Sequence, residues 1–275
     1  MALSVSNMGA QKAYNAMSKL NASTEKAQLR IATQKKINSV ADDTSAFNIG
    51  KALEAKVSLM KSAQKNVGSA KDLLATAETQ LISMRDQITQ IKAKIGDSGN
   101  SAVDLNSLQE DIKAIANEMS AAISNTKFND TVLLGTTAAA GFSFQTGVSS
   151  SDTIAVDYAD DVASDFNAAK TVIDTLSSAS ARADFTALET TLDAFESTVT
   201  SSLGKIGNFT QRLEAKDDFL STAVANSEAS IGRLFNADMA EEQLESTKNN
   251  IGTQISQSMF SQMNASSQQV LSLFR

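Results

Sequence analysis

The sequence predicts a mainly α protein: an elongated antiparallel coiled-coil or helical-bundle rod with a small β-hairpin region in its centre. Three observations carry this expectation. Between Phe185 and Leu234 the apolar residues Phe185, Leu188, Leu192, Phe195, Val199, Ile206, Phe209, Leu213, Leu220, Ala223 and Leu234 step by threes and fours. That average period of 3.5 keeps one stripe of a helix facing a partner. The 275 residues contain no proline, where ordinary usage would give about fourteen, so nothing interrupts a long helix. Aromatic residues are only 5% of a chain that is 42% hydrophobic, a composition suited to thin helical seams more than to a thick interior. A helix over 185–234 would be roughly 75 Å long. It cannot bury its own stripe, so the remaining elements must supply partners.

Taken in order, the chain opens with a seam of Ala10, Ala13, Met17, Leu20, Thr24, Ala27 and Ile31. Its residues are small, so this helix is marginal in water and is expected to order only where something covers it. The period lapses over Lys35-Lys36-Ile37-Asn38-Ser39-Val40-Ala41-Asp42-Asp43, a polar turn before a helix start, where Asp42 and Asp43 read as capping groups rather than metal ligands. From Phe47 the seam returns through Leu53, Val57, Met60, Val67, Leu74, Ala77, Leu81, Met84, Ile88, Ile91 and Ile95. It stops at Gly96-Asp97-Ser98-Gly99-Asn100-Ser101, a turn-rich cluster in which the glycines can take positive φ. Leu105, Leu108, Ile112, Ile115, Met119 and Ala122 mark a third helix with Asp104 placed to cap it. The short loop makes 47–95 and 104–125 an antiparallel hairpin.

The centre departs from helical spacing. Phe142-Ser143-Phe144-Gln145 and Ile154-Ala155-Val156-Asp157-Tyr158 alternate apolar and polar residues as half-exposed strands do, while Asn129-Asp130 and Leu133-Leu134-Gly135 read as a further bend. Val162, Phe166, Ala169, Ile173 and Leu176 restore a helical stripe before a turn at Ser177-Ser178. After Leu234, Phe235-Asn236-Ala237-Asp238 admits a capped restart, and the last helix carries Leu244, Ile251, Ile255, Met259, Phe260, Met263, Val270, Leu273 and Phe274. These boundaries group the chain into three parts. Residues 1–44 pair with 236–275, residues 45–141 with 180–235 form a helical rod, and 142–179 hold the hairpin and a helix facing solvent.

Composition narrows the function classes. With neither cysteine nor histidine, disulfides, thiolate metal sites and most nucleophilic or metal-assisted catalysis lose their usual residues. No carboxylate pair sits in an aromatic-lined context that would separate two pKa values. No catalytic, cofactor or metal site is therefore expected. The net charge of −7 is uneven: residues 1–141 carry 16 basic and 13 acidic side chains, 142–200 carry 2 and 10, and 201–275 carry 6 and 8. An acidic total without basic-aromatic interleaving argues against nucleic acid as a partner. The basic first segment, with Lys12, Lys19, Lys26, Arg30, Lys35 and Lys36 against Glu25, is too alanine-rich for firm membrane insertion. No apolar run is long enough to span a bilayer, and no cleavable leader is expected. The weakly amphipathic helices at the two ends can cover each other and neighbouring copies. That pattern predicts an assembly interface that orders on polymerisation.

Six stretches together resemble the bacterial flagellins: Ser4-Val5-Ser6-Asn7, Lys36 through Asp43, Asp104-Leu105-Asn106-Ser107-Leu108-Gln109, Thr126-Lys127-Phe128-Asn129-Asp130, Leu203-Gly204-Lys205-Ile206-Gly207-Asn208 and Val270-Leu271-Ser272-Leu273-Phe274-Arg275. The resemblance covers roughly 1–135 and 200–275. It implies a structural subunit, secreted through the flagellar type III apparatus, that polymerises with itself into the extracellular flagellar filament for motility. It also implies terminal helices lining an inner tube, disordered in the free subunit, and a rod forming an outer one. The implied partners are the export apparatus, an export chaperone at the carboxy-terminal helix, the filament cap and the hook-associated junction proteins. The residues placed at the polymer interface are Ala10, Ala13, Met17, Leu20, Ala27, Ile31, Ile251, Ile255, Met259, Met263, Val270, Leu273 and Phe274. A chain threaded through a narrow channel also suits the absence of Cys and Pro.

Departures from the family pattern are equally specific. The glycine that usually precedes the Ile-Asn run is missing from Ala32-Thr33-Gln34-Lys35-Lys36, which predicts a stiffer turn. The segment that an innate immune receptor contacts in many flagellins falls here on Gln87-Ile88-Thr89-Gln90-Ile91, with Asp111 on the facing helix. Its arginines are gone, so Gln87, Ile91 and Asp111 form a degenerate contact region. Ser149, Ser150, Ser151 and Thr153 on the central loop are candidate acceptors for O-linked sugars. Two other classes share part of the pattern: a hook-filament junction protein, and a secreted coiled-coil effector or translocator, which should carry a membrane-active apolar stretch.

Overall fold

The computed structural model describes residues 8–100, 102–135, 141–159, 162–177 and 182–273, with the side chains of 8–10, 182–183 and 264–273 left undescribed. Six helices and four short strands occur among them: α1 (Met8–Thr33), α2 (Thr44–Asp97), α3 (Leu105–Asn125), β1 (Lys127–Phe128), β2 (Thr131–Val132), β3 (Phe142–Gln145), β4 (Thr153–Val156), α4 (Val162–Thr175), α5 (Arg182–Phe235) and α6 (Met239–Leu273). The fold is mainly α with two small antiparallel strand pairs. It divides into two compact units, Ser58–Val224 and Met1–Val57 with Ala225–Arg275. No helix among the described residues is long and apolar enough to cross a membrane.

In the unit Ser58–Val224 the α2 seam is buried without a gap. Met60, Ala63, Val67, Ala70, Leu74, Ala77, Leu81, Met84, Ile88, Ile91 and Ile95 alternate by three and four, and all lie in the core. α5 answers with Phe185, Leu188, Leu192, Phe195, Val199, Ile206, Leu213 and Leu220, together with buried Ser202. Lys92 lies beside Asp193 and Glu196 of α5, and Lys71 pairs with Asp217 at 3.6 Å. α3 runs antiparallel to α2: Lys94 pairs with Asp111 near one end, and Thr76 and Gln80 share a recess with Asn125 and Lys127 at the other. Asp104 caps α3, accepting from the Asn106 amide at 3.0 Å. Gly96 lies inside α2, Gly141 is the glycine found at positive φ, and Ser98 closes the helix by donating its hydroxyl to the Ile95 carbonyl at 2.6 Å.

The bend at Asn129-Asp130 is a complete hairpin. Lys127 pairs with Val132 and Phe128 with Thr131, while Asn129 and Asp130 take φ of 47° and 61°. Positive φ at both central residues suits a two-residue loop between twisted strands, and Asn and Asp tolerate it better than most side chains. Leu133 and Leu134 then enter the core. In the second pair Phe142 faces Val156 and Gln145 faces Thr153. Its base is anchored by Tyr158, stacked on Phe142 at 6.3 Å and donating its hydroxyl to the Leu133 carbonyl at 3.3 Å. Burial pushes the Tyr158 phenol well above its ordinary pKa. α4 inserts Phe166 against Phe195 of α5, ring centroids 5.6 Å apart.

The other unit holds α1, the first turns of α2, the last turns of α5, and α6. α1 and α6 are antiparallel: Leu20 lies against Gly252, Asn21 faces Thr253, and Arg30 pairs with Glu242 at 3.0 Å. The link after α1 is held to the α5–α6 link by two backbone hydrogen bonds, from the Lys36 amide to the Phe235 carbonyl (2.7 Å) and from the Ala237 amide to the Gln34 carbonyl (3.1 Å). Gln34 takes φ 58° at the end of α1, the left-handed position that glycine occupies without strain. Gln34 therefore holds a left-handed position at a cost in strain that glycine would not carry. Phe235 is buried edge-on to Phe47, and its ring fills the space over Gly50 that a Cβ would take. Asp42 accepts from the amides of Asn38 and Ser39, and these bonds hold its carboxyl below the usual carboxylate range. Asp43 caps α2 through the Ala46 amide at 2.9 Å, and Asp238 caps α6 through the Ala240 amide at 2.9 Å.

Candidate assembly interface

The α1–α6 pair places the residues expected at a polymer interface on two different faces. Ala13, Met17, Leu20, Ala27 and Ile31 share the face of α1 that carries Leu20 and Arg30, and all are half-buried or buried. The face of α6 turned to them is mostly polar: Glu242, Ser246 and Asn249 are buried and Gly252 admits Leu20, while half-buried Phe260 continues the same face. Met263 is half-buried. By contrast Ile251, Ile255 and Met259 are 53%, 55% and 49% exposed. The helix of α6 includes Val270 and Leu273, whose side chains, with that of Ala10, lie outside the described residues, as do Phe274 and the segment Ser4–Asn7.

Leu244, the most exposed large apolar side chain among the described residues of α6, extends the same outward stripe. It was not among the expected interface residues, and neither were Tyr14 and Leu29, which are exposed on α1. Their signal was in the spacing: 244, 251, 255 and 259 step by seven, four and four, one helical face. The polar inner face made that signal hard to read, because apolar spacing ordinarily marks the buried side of a helix. Asn249 makes the inner face costly as well as polar. Its Nδ2 is buried without a hydrogen-bond partner, and such a donor forgoes hydration without compensation.

The expected receptor region lies in the α2–α3–α5 bundle. Ile91 is fully buried in the core, so its side chain offers no surface there. Gln87 is half-buried with its Oε1 unpartnered, and Asp111 is exposed and paired with Lys94. Ser149, Ser150, Ser151 and Thr153 are all exposed on and beside the β3–β4 loop, where the Ser149 and Ser151 hydroxyls stand 3.0 Å apart. Among the described residues no group of three or more acidic, His or Cys side chains is placed to hold a metal ion. The surface recess beside α6 is lined by Arg30, Lys36, Asp42, Glu241 and Glu242, with Arg30 and Asp42 already engaged in the contacts above.

Comparison with known proteins fits this architecture. Residues 5–139 match the bacterial flagellin N-terminal helical region and residues 190–274 the bacterial flagellin C-terminal helical region. The chain is 28% identical to the flagellin of Bacillus subtilis strain 168 over 300 residues, covering 98% of each. It is 30% identical to the flagellin of Listeria monocytogenes over 289 residues, 97% of each. It is 26% identical to the flagellin of Brucella melitensis over 281 residues, with both chains fully covered. A solved structure described as a flagellar hook-associated protein from Vibrio parahaemolyticus superposes with a TM-score of 0.56 at 17% identity, covering 71% of this chain and all of that one; at that identity the likeness speaks for the fold alone. The paired end helices, the seamed bundle and the matches at both ends agree: the chain belongs to the bacterial flagellin family, structural subunits of the flagellar filament and not enzymes.

Proposed function

We propose that copies of this chain join through the outward stripe of α6, with the α1–α6 pair lining the inner tube of the filament and the α2–α5 bundle forming the outer one. The observation that carries the reading is the burial of polar Glu242, Ser246 and Asn249 while Leu244, Ile251, Ile255 and Met259 stay in solvent. A helix that hides its polar face and presents its apolar face gains hydrophobic burial only when another chain covers it. The same stripe is the natural seat for an export chaperone before secretion through the flagellar apparatus, and the growing end is where the filament cap and the hook-associated junction proteins would meet it. The working location is then the extracellular filament.

The test is Ile255→Asp in the full chain. Circular dichroism of the dilute subunit should be unchanged, since the side chain is exposed, while salt-induced polymerisation should be lost. Normal tubes by electron microscopy from Ile255→Asp would overturn the proposal. Two lesser readings belong here. With Ile91 buried and no arginine beside it, monomer should signal weakly to the innate receptor in reporter cells. Sugars on Ser149, Ser150, Ser151 or Thr153 would appear as added mass in native filaments.

A further inference from the structure

The described methionines separate by unit. Met60, Met84 and Met119 are buried in the bundle core, Met17 and Met263 are half-buried, and Met239 and Met259 on α6 are 40% and 49% exposed. Of these, Met259 is the one that lies on the outward stripe, one turn beyond Ile255. The chain has no cysteine, so methionine is its only sulfur open to oxidation. A thioether in this position is accessible to a soluble oxidant in the free subunit, and it sits on the surface that must become apolar contact on assembly.

We propose that Met259 is an oxidation site that gates polymerisation, taking a two-electron oxidant of the peroxide class. The sulfur lone pair attacks one peroxide oxygen; the S–O bond forms as the O–O bond breaks. The proton of the transferred oxygen passes to the departing hydroxide, which leaves as water. Sulfur loses two electrons, peroxide gains them, and the thioether becomes a sulfoxide. In the free subunit the sulfoxide oxygen stays hydrated, and the buried seam of the Ser58–Val224 unit, which does not include Met259, is undisturbed. Between two copies it would be desolvated without a donor, which weakens the contact. The lesion therefore acts on assembly and not on folding. Sulfoxide reduction restores the thioether, which makes the gate reversible.

This inference rests on the reading of the α6 stripe as a contact between copies. The experiment treats the full-length subunit with hydrogen peroxide, maps oxidation at each methionine by peptide mass spectrometry, and measures the protein concentration needed for salt-induced polymerisation. Met259 should oxidise at least roughly tenfold faster than Met60, Met84 and Met119, and the threshold concentration should rise about tenfold, the equivalent of one polar group buried without a hydrogen-bond partner. Met259→Leu should polymerise after peroxide treatment as it does before. Met239→Leu should remain sensitive, and Met259→Gln, which carries a polar oxygen near the same place, should raise the threshold with no oxidant present. Formed filaments should protect Met259. An unchanged threshold for oxidised protein, or full sensitivity of Met259→Leu or a normal threshold for Met259→Gln, overturns the gate. If those failures occur while Ile255→Asp still blocks assembly, the stripe reading stands and the gate alone falls; if Ile255→Asp assembles normally, the stripe reading falls first.

Discussion

The α2 seam from Met60 to Ile95 and the α1–α6 seam share a three-and-four spacing but not their contents. The first is filled with Val, Leu, Ile, Met and Ala, all buried, and faces the phenylalanines and leucines of α5. The second sets half-buried Met17, Leu20 and Ile31 and buried Thr24 and Ala27 of α1 against Glu242, Ser246 and Asn249, while Leu244, Ile251 and Ile255 of α6 face outward. Burying apolar surface stabilises a helix pair in proportion to area, so the bundle should be firm and the end pair weak. The difference teaches that one repeat can serve two purposes. A dry seam makes a folded unit, and a polar seam reserves apolar surface for another chain.

The largest expected break in this comparison comes from matched truncations. Phe195→Ala removes a fully buried ring packed on Phe166 and should destabilise the bundle by about 3–5 kcal/mol. Ile255→Ala should move the subunit's thermal melt by no more than about 0.5 kcal/mol, because that side chain touches mainly water. Equal losses by circular dichroism would erase the distinction. Next in size, Asn249→Leu removes the unpartnered buried amide and should stabilise the α1–α6 pair by roughly 1–2 kcal/mol, read as slower hydrogen exchange in α1 and α6 with the bundle unaltered.

A smaller effect sharpens the link after α1. Gln34→Gly relieves a non-glycine residue at φ 58°; left-handed strain of about 1 kcal/mol is partly offset by the extra freedom glycine has when unfolded. A net gain of under about 1 kcal/mol is expected, with exchange slowing around 33–37; a loss would mean that the Gln34 side chain is needed there. The smallest effect is a pH contrast. Asp42 has its carboxyl pKa lowered by the Asn38 and Ser39 amides, so its contribution is present above the unfolded pKa of 3.8 and fades as pH falls through its still lower folded value. Lys92 is opposed by burial, but its bonds to Asp193 and Glu196 prevail and raise its pKa. Its contribution is complete below the unfolded value of 10.5 and fades as pH rises through the folded one. Acid should therefore loosen the unit holding α1 and α6 and alkali the bundle, as exchange rates measured at both extremes would register.

Much of the fold was legible because long seams of apolar residues announce their own period. α2, α3 and α5 begin and end within three residues of where spacing and caps put them, and Asp104 caps where it was expected. The β1–β2 hairpin was not legible beyond a bend. Two-residue strands carry no period, and the one clue was Asn129-Asp130, a pair that tolerates positive φ. Spacing was enough to group Ile251, Ile255 and Met259 as one stripe of the last helix, but not to show that this stripe is exposed on the side of α6 turned away from α1.

Periodicity and the absence of proline were enough to specify a mainly helical, seamed chain, because helix length and seam spacing are local properties, and six stretches resembling the flagellins pointed to a filament subunit. Which face of α6 meets α1 was settled by the fold. That choice depends on the long-range registry of Leu20 with Gly252 and of Arg30 with Glu242, residues more than two hundred positions apart. Close approach at Gly252 and a part-buried ion pair accompany this choice of face, which leaves the stripe at Leu244, Ile251, Ile255 and Met259 facing solvent.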